Sequence, residues 1–201
     1  MKSILPIVLQ NMNLSECYSL AVGVCQNSDF HIFLYELIVE IVENMHGKIV
    51  IMDFSHIFNY NKLVSIANRI GVNVSYIKEQ IIHYYSPKTF EHLEAIFNNL
   101  NRQLDHQDNI SLLFLMPSIF FKKQHIGSKQ YRRNISDFYL AIPMLADLEK
   151  EIRVYLFDYI IEGTYRPICF TPKEFSENFD CLIEFLPNSI LRLNKKVEIR
   201  Y

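Results

Sequence analysis

The sequence predicts an α/β fold: a mostly parallel, twisted sheet with flanking helices, finished by a C-terminal antiparallel meander. Apolar runs such as KIVIMDF, SLLFLM and RVYLFD are nearly continuous, as strands covered on both faces are. Between them lie amphipathic stretches long enough to carry the chain back for another parallel strand. The last thirty residues change character, with three short runs separated by two-residue polar turns at Pro187-Asn188 and Asn194-Lys195, which only antiparallel neighbours can use.

Taken in order, residues 18–24 (YSLAVGV) form a first short strand, followed by the turn CQNSD. The long amphipathic helix FHIFLYELIVEIVENM comes next and stops at His46-Gly47. Residues 48–54 are a buried strand ending in Asp53, and 60–70 a helix closed by Gly71. A short helix at 75–80 leads to IIHYY; Pro87 then opens the helix 89–104, and 111–116 is another buried strand. Beyond the basic segment FKKQHIGSKQYRR the pattern predicts a helix over 135–151 that carries Pro143, and a strand at 153–158. After a loop and a short helix around 172–178, the runs CLIEFL, ILRL and KVEIR make the meander.

With 201 residues, half of them hydrophobic, the chain can close one sizeable core, so a single domain over 1–201 is expected. Twenty Lys+Arg against 22 Asp+Glu give a formal charge of −2, which excludes a bulk polycation; any contact with nucleic acid must be a local patch. Five Gly, seven Pro and no Trp exclude a collagenous, linker-like or low-complexity chain. The start MKSILPIVLQNMN lacks the small-residue cleavage site of a signal peptide, and the longest apolar runs are broken by Glu36, Glu40 and Pro117. No membrane association is expected. Cys17, Cys25, Cys169 and Cys181 have no metal-like spacing, and reduced, packed thiols are expected at all four. The seven histidines form no i,i+4 pair, so a metal site is not expected.

A strand, a tight turn and a helix near the start is where a phosphate-binding loop belongs. Counted from Gly23, the pattern G-x-x-x-x-G-K-[ST] requires Gly, Lys and Ser/Thr at 28, 29 and 30, which are Ser28, Asp29 and Phe30. Asp29 would set a carboxylate against a polyanion, and it reads more simply as a carboxylate favoured by a helix N-terminus. No aspartate for magnesium ends the strand SLLFLM, which runs into Pro117 and Ser118. The site reads as a retired phosphate loop, with no cofactor expected.

Three stretches then resemble the RecA/RadA-type recombinase core. Residues 51–100 are similar to the family's strand, acidic turn, helix, short helix, strand and helix, opened by a phrase of the type I-D-T-E-x-T-F-R-P-E-R-L on which Asp53, Phe58 and Leu63 fall in register. The stretch from Phe120 to Ile160 resembles the family's run from its first DNA loop through a helix ending in L-A-D, anchored by Ile126-Gly127 and Leu145-Ala146-Asp147. The tail FSENFDCLIEFLPNSILRL resembles the final strands. Together the three cover nearly the whole chain. The family's water-activating glutamate aligns with Ser55, its magnesium aspartate with Pro117, its nucleotide-sensing glutamine with Tyr159, and its phosphate-loop lysine and hydroxyl with Asp29 and Phe30. The resemblance therefore implies a nonenzymatic, nuclear accessory paralogue of the Shu-complex or nematode paralogue-partner type. It implies pairing with another paralogue as a heterodimer that assists recombinase filaments on single-stranded DNA. The family's F-x-x-A subunit hook fits Phe138-Tyr139-Leu140-Ala141, but mid-helix, where core packing is the simpler reading.

Lys122, Lys123, His125, Lys129, Arg132 and Arg133 form the one dense basic run, with Phe121 and Tyr131 among them. Cations beside aromatic rings suit a phosphate backbone and unpaired bases; a solvated charged loop between strand and helix is the competing reading. The resemblance makes this segment the first DNA loop and 162–170 the second, where Arg166 is the sole basic residue. Asp53 and Asp158 stand at predicted carboxyl ends of strands, where α/β sites are built and where turn-capping carboxylates are also common. Two other functions compete with the accessory paralogue. One is a nucleotide-binding protein or kinase-like transferase with a loop rebuilt around Asp29 and Asp53. The other is an α/β interaction module with no DNA role. The helices at 30–45 and 89–104 are apolar on more than one side, so an exposed partner-binding face is expected on them.

Overall fold

The computed structural model describes residues 3–25, 30–45, 47–104, 106, 109–123, 129–161, 166–167, 178–194 and 197–200. The chain opens with α1 (Leu5–Asn11) and a 3-10 turn (Leu14–Glu16), followed by β1 (Ser19–Val24), α2 (Phe30–Asn44), β2 (Lys48–Asp53), α3 (Tyr60–Ile70), α4 (Val74–Gln80) and β3 (Ile81–Tyr85). Next come α5 (Phe90–Leu104), β4 (Ile110–Leu115), α6 (Pro117–Lys123), α7 (Lys129–Ala141) and a 3-10 turn (Pro143–Leu145). The chain then forms β5 (Arg153–Ile161), β6 (Arg166–Pro167), β7 (Cys181–Leu186), β8 (Ile190–Leu193) and β9 (Val197–Arg200). One sheet runs β3-β2-β4-β5-β1-β7-β8-β9, with β6 beside β5. It is parallel from β3 to β7 and antiparallel from β7 to β9, as the sequence predicts.

The continuous apolar runs arise because both faces of the sheet are covered. Successive residues point to opposite sides. Leu20, Val22, Ile49, Ile51, Leu113, Leu115, Tyr155 and Phe157 enter the core under α1, α2 and α3, while Ala21, Val50, Met52, Leu112, Phe114, Val154 and Leu156 enter the core under α5 and α7. Asn59 and Asn73 start α3 and α4, each side chain accepting from two backbone N–H groups, and Gly71 ends α3 at φ 87°, in the left-handed region.

The apolar circumference of α2 is covered by its own chain. Eleven of its 15 residues are buried, held between the sheet, α1 and α3. The partner face expected on this helix is therefore internal. On α5 the buried stripe is single, Leu93, Ile96, Leu100 and Leu104, with polar residues opposite. The sequence reading assigned no element to the first seventeen residues, because α1 has no cap of its own. Its cap comes from Glu36 of α2, 1% exposed, whose Oε2 accepts from the N–H groups of Ile4 and Leu5 at 3.0 Å each. The other oxygen, Oε1, accepts from Arg69 Nη2 at 2.8 Å. One carboxylate thus ties α1 and α3 across α2.

Three local expectations are corrected. The helix placed over 135–151 starts at Lys129 and ends at Ala141, because Pro143 cannot continue it; Asp147 and Ile152 then bridge a turn. The hairpin turns hold three residues, with Leu186 paired to Ile190 and Leu193 to Val197; Asn188, Ser189 and Asn194 have positive φ. Cys17 and Cys181 are joined in a disulfide rather than reduced, because the parallel pairing of β1 with β7 sets their Cα atoms 6.2 Å apart, inside the range a disulfide spans; Cys25 is a buried free thiol. Gly23, which the sequence places in the first strand, lies within β1, where a Cβ would come within 2.8 Å of Ile160. Residues 172–177, expected to form a short helix, and Cys169 lie outside the described residues.

Glu36→Ala strands two backbone donors and an arginine, at a cost of about 3 kcal/mol. Urea unfolding should show that loss, with amide exchange across residues 5–11 rising by more than elsewhere. Unchanged protection of α1 would contradict the capping role.

Candidate functional site at the carboxyl edge of the sheet

Parallel α/β sheets build their sites where the strands end, so the carboxyl ends of β1, β2, β4 and β5 are the place to look. Two buried carboxylates stand there. Asp53, the last residue of β2, is fully buried and holds the turn that follows. Its Oδ1 accepts from the N–H of Ser55 and of Ile57 at 3.2 Å each, and its Oδ2 from the N–H of Phe58 at 2.9 Å and the Tyr84 hydroxyl at 3.1 Å. Burial, and then the negative charge of Asp53 beside it, push the Tyr84 hydroxyl up to about 12.

Asp158 on β5 is enclosed from three sides. Ser118, at the start of α6, donates to it through both its N–H and its hydroxyl; Tyr139 of α7 donates its hydroxyl; and the Tyr159 N–H donates at 2.8 Å. Burial pushes the Asp158 carboxyl up to about 7, against those hydrogen bonds, which pull it down. Both candidate carboxylates therefore cap turns and helices of their own chain, the simpler of their two sequence readings. The hydroxyl of Ser118 donates to a carboxylate, and Ser118 is itself 3% exposed. The arrangement binds a proton and locks α6 and α7 to β5.

Around this pair the aligned nucleotide positions do structural work. Met116, at φ 56°, turns β4 straight into α6, whose first residue is Pro117. Phe30 is buried at the head of α2, and Ser55 donates to Asp53. Tyr159 donates to Asp158, and Tyr139 of the F-x-x-A match is buried while Phe138 packs edge-on against Phe54, Phe97 and Phe121. Asp29 lies outside the described residues.

A further charged row went unread in the sequence. In register across the sheet, Asp158 pairs with Gly23 and Gly23 with Glu184; Arg192 stands opposite Glu184 and Glu198 opposite Arg192. Arg192 lies 3.6 Å from the 2% exposed Glu184 and 2.6 Å from Glu198. The signal was present: in CLIEFL, Glu184 shares the inward face with Leu182 and Leu186, and a buried charge needs a partner.

The described cations of the basic run fall on helix ends. Lys122 and Lys123 end α6, Lys129, Arg132 and Arg133 open α7, and Arg166 lies in β6 against Ile161. For these six the backbone alone is described. Residues 124–128, with His125, and most of the second expected DNA loop lie outside the described residues. Because α7 returns the chain from the end of β4 to the start of the parallel strand β5, its first turns lie beyond the carboxyl edge. Ten residues, about 15 Å of helix, separate Lys129 from Tyr139 at Asp158. Among the described residues no group of three or more His, Cys, Asp and Glu could hold a metal, and no helix is long and apolar enough to cross a membrane.

The raised carboxyl of Asp158 makes stability depend on pH with a definite sign. From its ordinary 3.8 up to about 7 the folded chain keeps a proton that the unfolded chain has lost, so stability falls as pH rises through that interval, by up to about 4 kcal/mol. Denaturant titrations from pH 4 to pH 8 should show this fall in the wild type and a flatter profile in Asp158→Asn. Equal slopes in both chains would remove Asp158 as the source.

No protein-family model and no curated protein matches this sequence, so its function has to be argued from its own residues.

Proposed function

We propose that the chain is a nonenzymatic paralogue of the RecA/RadA-type recombinases, which pairs with another paralogue and stabilises or remodels recombinase filaments on single-stranded DNA in homologous recombination repair. The observation that carries the reading is the position of the basic run. Three of its cations, Lys129, Arg132 and Arg133, are spaced i, i+3, i+4 at the start of α7, beyond the edge at which parallel sheets bind ligands. A helix N-terminus repels cations, so their concentration there costs stability in the free chain and is relieved by an anion. Phosphates of a nucleic-acid backbone supply that anion.

Two further features support the reading. The order of elements from β2 through α3, α4 and β3 to α5 is the order that the resemblance implies for residues 51–100. Asp53, which ends β2, and Asp158, within β5, are occupied by groups of their own chain, which suits a subunit that acts by binding rather than by nucleotide hydrolysis. The competing nucleotide-binding reading needs Asp53 free to work, and Asp53 accepts three backbone N–H groups and the Tyr84 hydroxyl. In the proposed role the protein acts in the nucleus, needs no cofactor, and touches single-stranded DNA through Lys122, Lys123, Lys129, Arg132 and Arg133, with a lesser part for Arg166.

Fluorescence anisotropy of labelled single-stranded DNA over a salt series tests the contact. Five cations on phosphates give a log–log slope on the order of −3.5, from about −0.7 per phosphate. Charge reversal of Lys122, Lys123, Arg132 and Arg133 together should abolish retention. A slope near zero, or retention unaffected by the reversal, would overturn the DNA role and leave an interaction module.

A further inference from the structure

On the opposite face of the sheet, α1, α2 and the end of α3 enclose a groove of about 390 Å³. Its walls are aliphatic: Leu5, Pro6 and Leu9 from α1, Val39 from α2, and Ile70 and Val72 at and beyond the end of α3. Leu9 and Ile70 stay open to water, 39% and 49% exposed, although the remainder of this layer is packed tightly enough to bury α2 almost completely. Two large aliphatic side chains at the mouth of a groove are unfavourable in water and favourable under a partner.

The rim has one sign of charge. Glu40 and Glu43 line it, half-buried, in the last turns of α2, where the helix dipole is negative and a carboxylate is disfavoured. Glu40 accepts from Asn44 Nδ2 at 2.8 Å, and among the described residues neither carboxylate has a cationic partner. Arg69, at the end of α3, is already engaged by Glu36 at 2.8 Å. Two charges held against the dipole, beside an apolar groove, are stabilised when a cation arrives from outside.

We propose that this groove receives a cationic amphipathic helix of a partner protein. Aliphatic side chains one turn apart enter between Leu9 and Ile70, and a Lys or Arg a further turn along meets Glu40 and Glu43. The acidic rim disfavours an anionic membrane surface as the occupant. The inference stands on the groove alone and does not depend on the DNA reading of the carboxyl edge, so loss of one leaves the other in place.

The test uses the full chain and a peptide about four turns long built from Leu and Lys in helical pattern, with a Leu/Glu peptide of the same pattern as its control. The protein contains no Trp, so one Trp in the peptide reports binding without background. Saturable binding of the Leu/Lys peptide alone is expected, about tenfold weaker to the Glu40→Gln/Glu43→Gln chain and similarly weaker to Leu9→Ser/Ile70→Ser. The double Gln chain should also melt at the same or a higher temperature, since the conflict with the dipole is gone. Binding unaffected by these substitutions, or weaker than a Kd of about 1 mM, overturns the proposal. So does a lower melting temperature of the double Gln chain, which would make the two carboxylates structural. Self-association of the free protein that Leu9→Ser removes would overturn it too, by making a second copy the occupant.

Discussion

The constraint on which the rest of this structure depends is that α2 is apolar around almost its whole circumference. A helix of that kind is stable only when covered on every side. The sheet covers one side through Leu20, Val22, Ile49, Leu113 and Phe157, and α3 and α1 cover the others. Glu36 turns that coverage into a specific arrangement, since a buried carboxylate must find donors and finds them on α1 and α3 at once. The Cys17–Cys181 disulfide then fixes the segment after α1 to β7, closing a loop of 164 residues between the two ends of the domain. Beside it, Asp180 accepts from the N–H groups of Tyr18 and Ser19, so the start of β1 and the start of β7 are held together by both covalent and polar links.

On the other face the same economy governs the carboxyl edge. Among the described residues, three buried carboxylates are matched to neighbours in the chain: Asp53 to the turn leading into α3, Asp158 to α6 and α7, Glu184 to Arg192. The two surfaces on which the proposals rest are peripheral to the sheet: the cations that open α7 and the acidic groove beneath α2.

Much of this was legible in the sequence, for reasons that particular residues make plain. Buried parallel strands read as continuous apolar runs, so β2, β4 and β5 stood out, and Gly71 closes α3 where its backbone freedom is required. What stayed hidden depends on distance along the chain. The cap of α1 lies 31 residues away on Glu36, the donors to Asp158 lie 40 and 19 residues away, and the disulfide partners meet only because β1 and β7 are parallel neighbours. The apolar breadth of α2 was read correctly, but its cover was sought in a partner because α1 was not visible as a helix. Pro143 was read inside a helix that it ends.

The central claim is that the carboxyl edge of the sheet serves the fold and the protein works by binding macromolecules. Equilibrium dialysis of the full chain against magnesium-ATP measures this directly. The account predicts no saturable uptake at millimolar nucleotide. Saturable uptake of one nucleotide per chain, weakened by Asp53→Asn, would contradict it and make Asp53 a ligand-binding carboxylate.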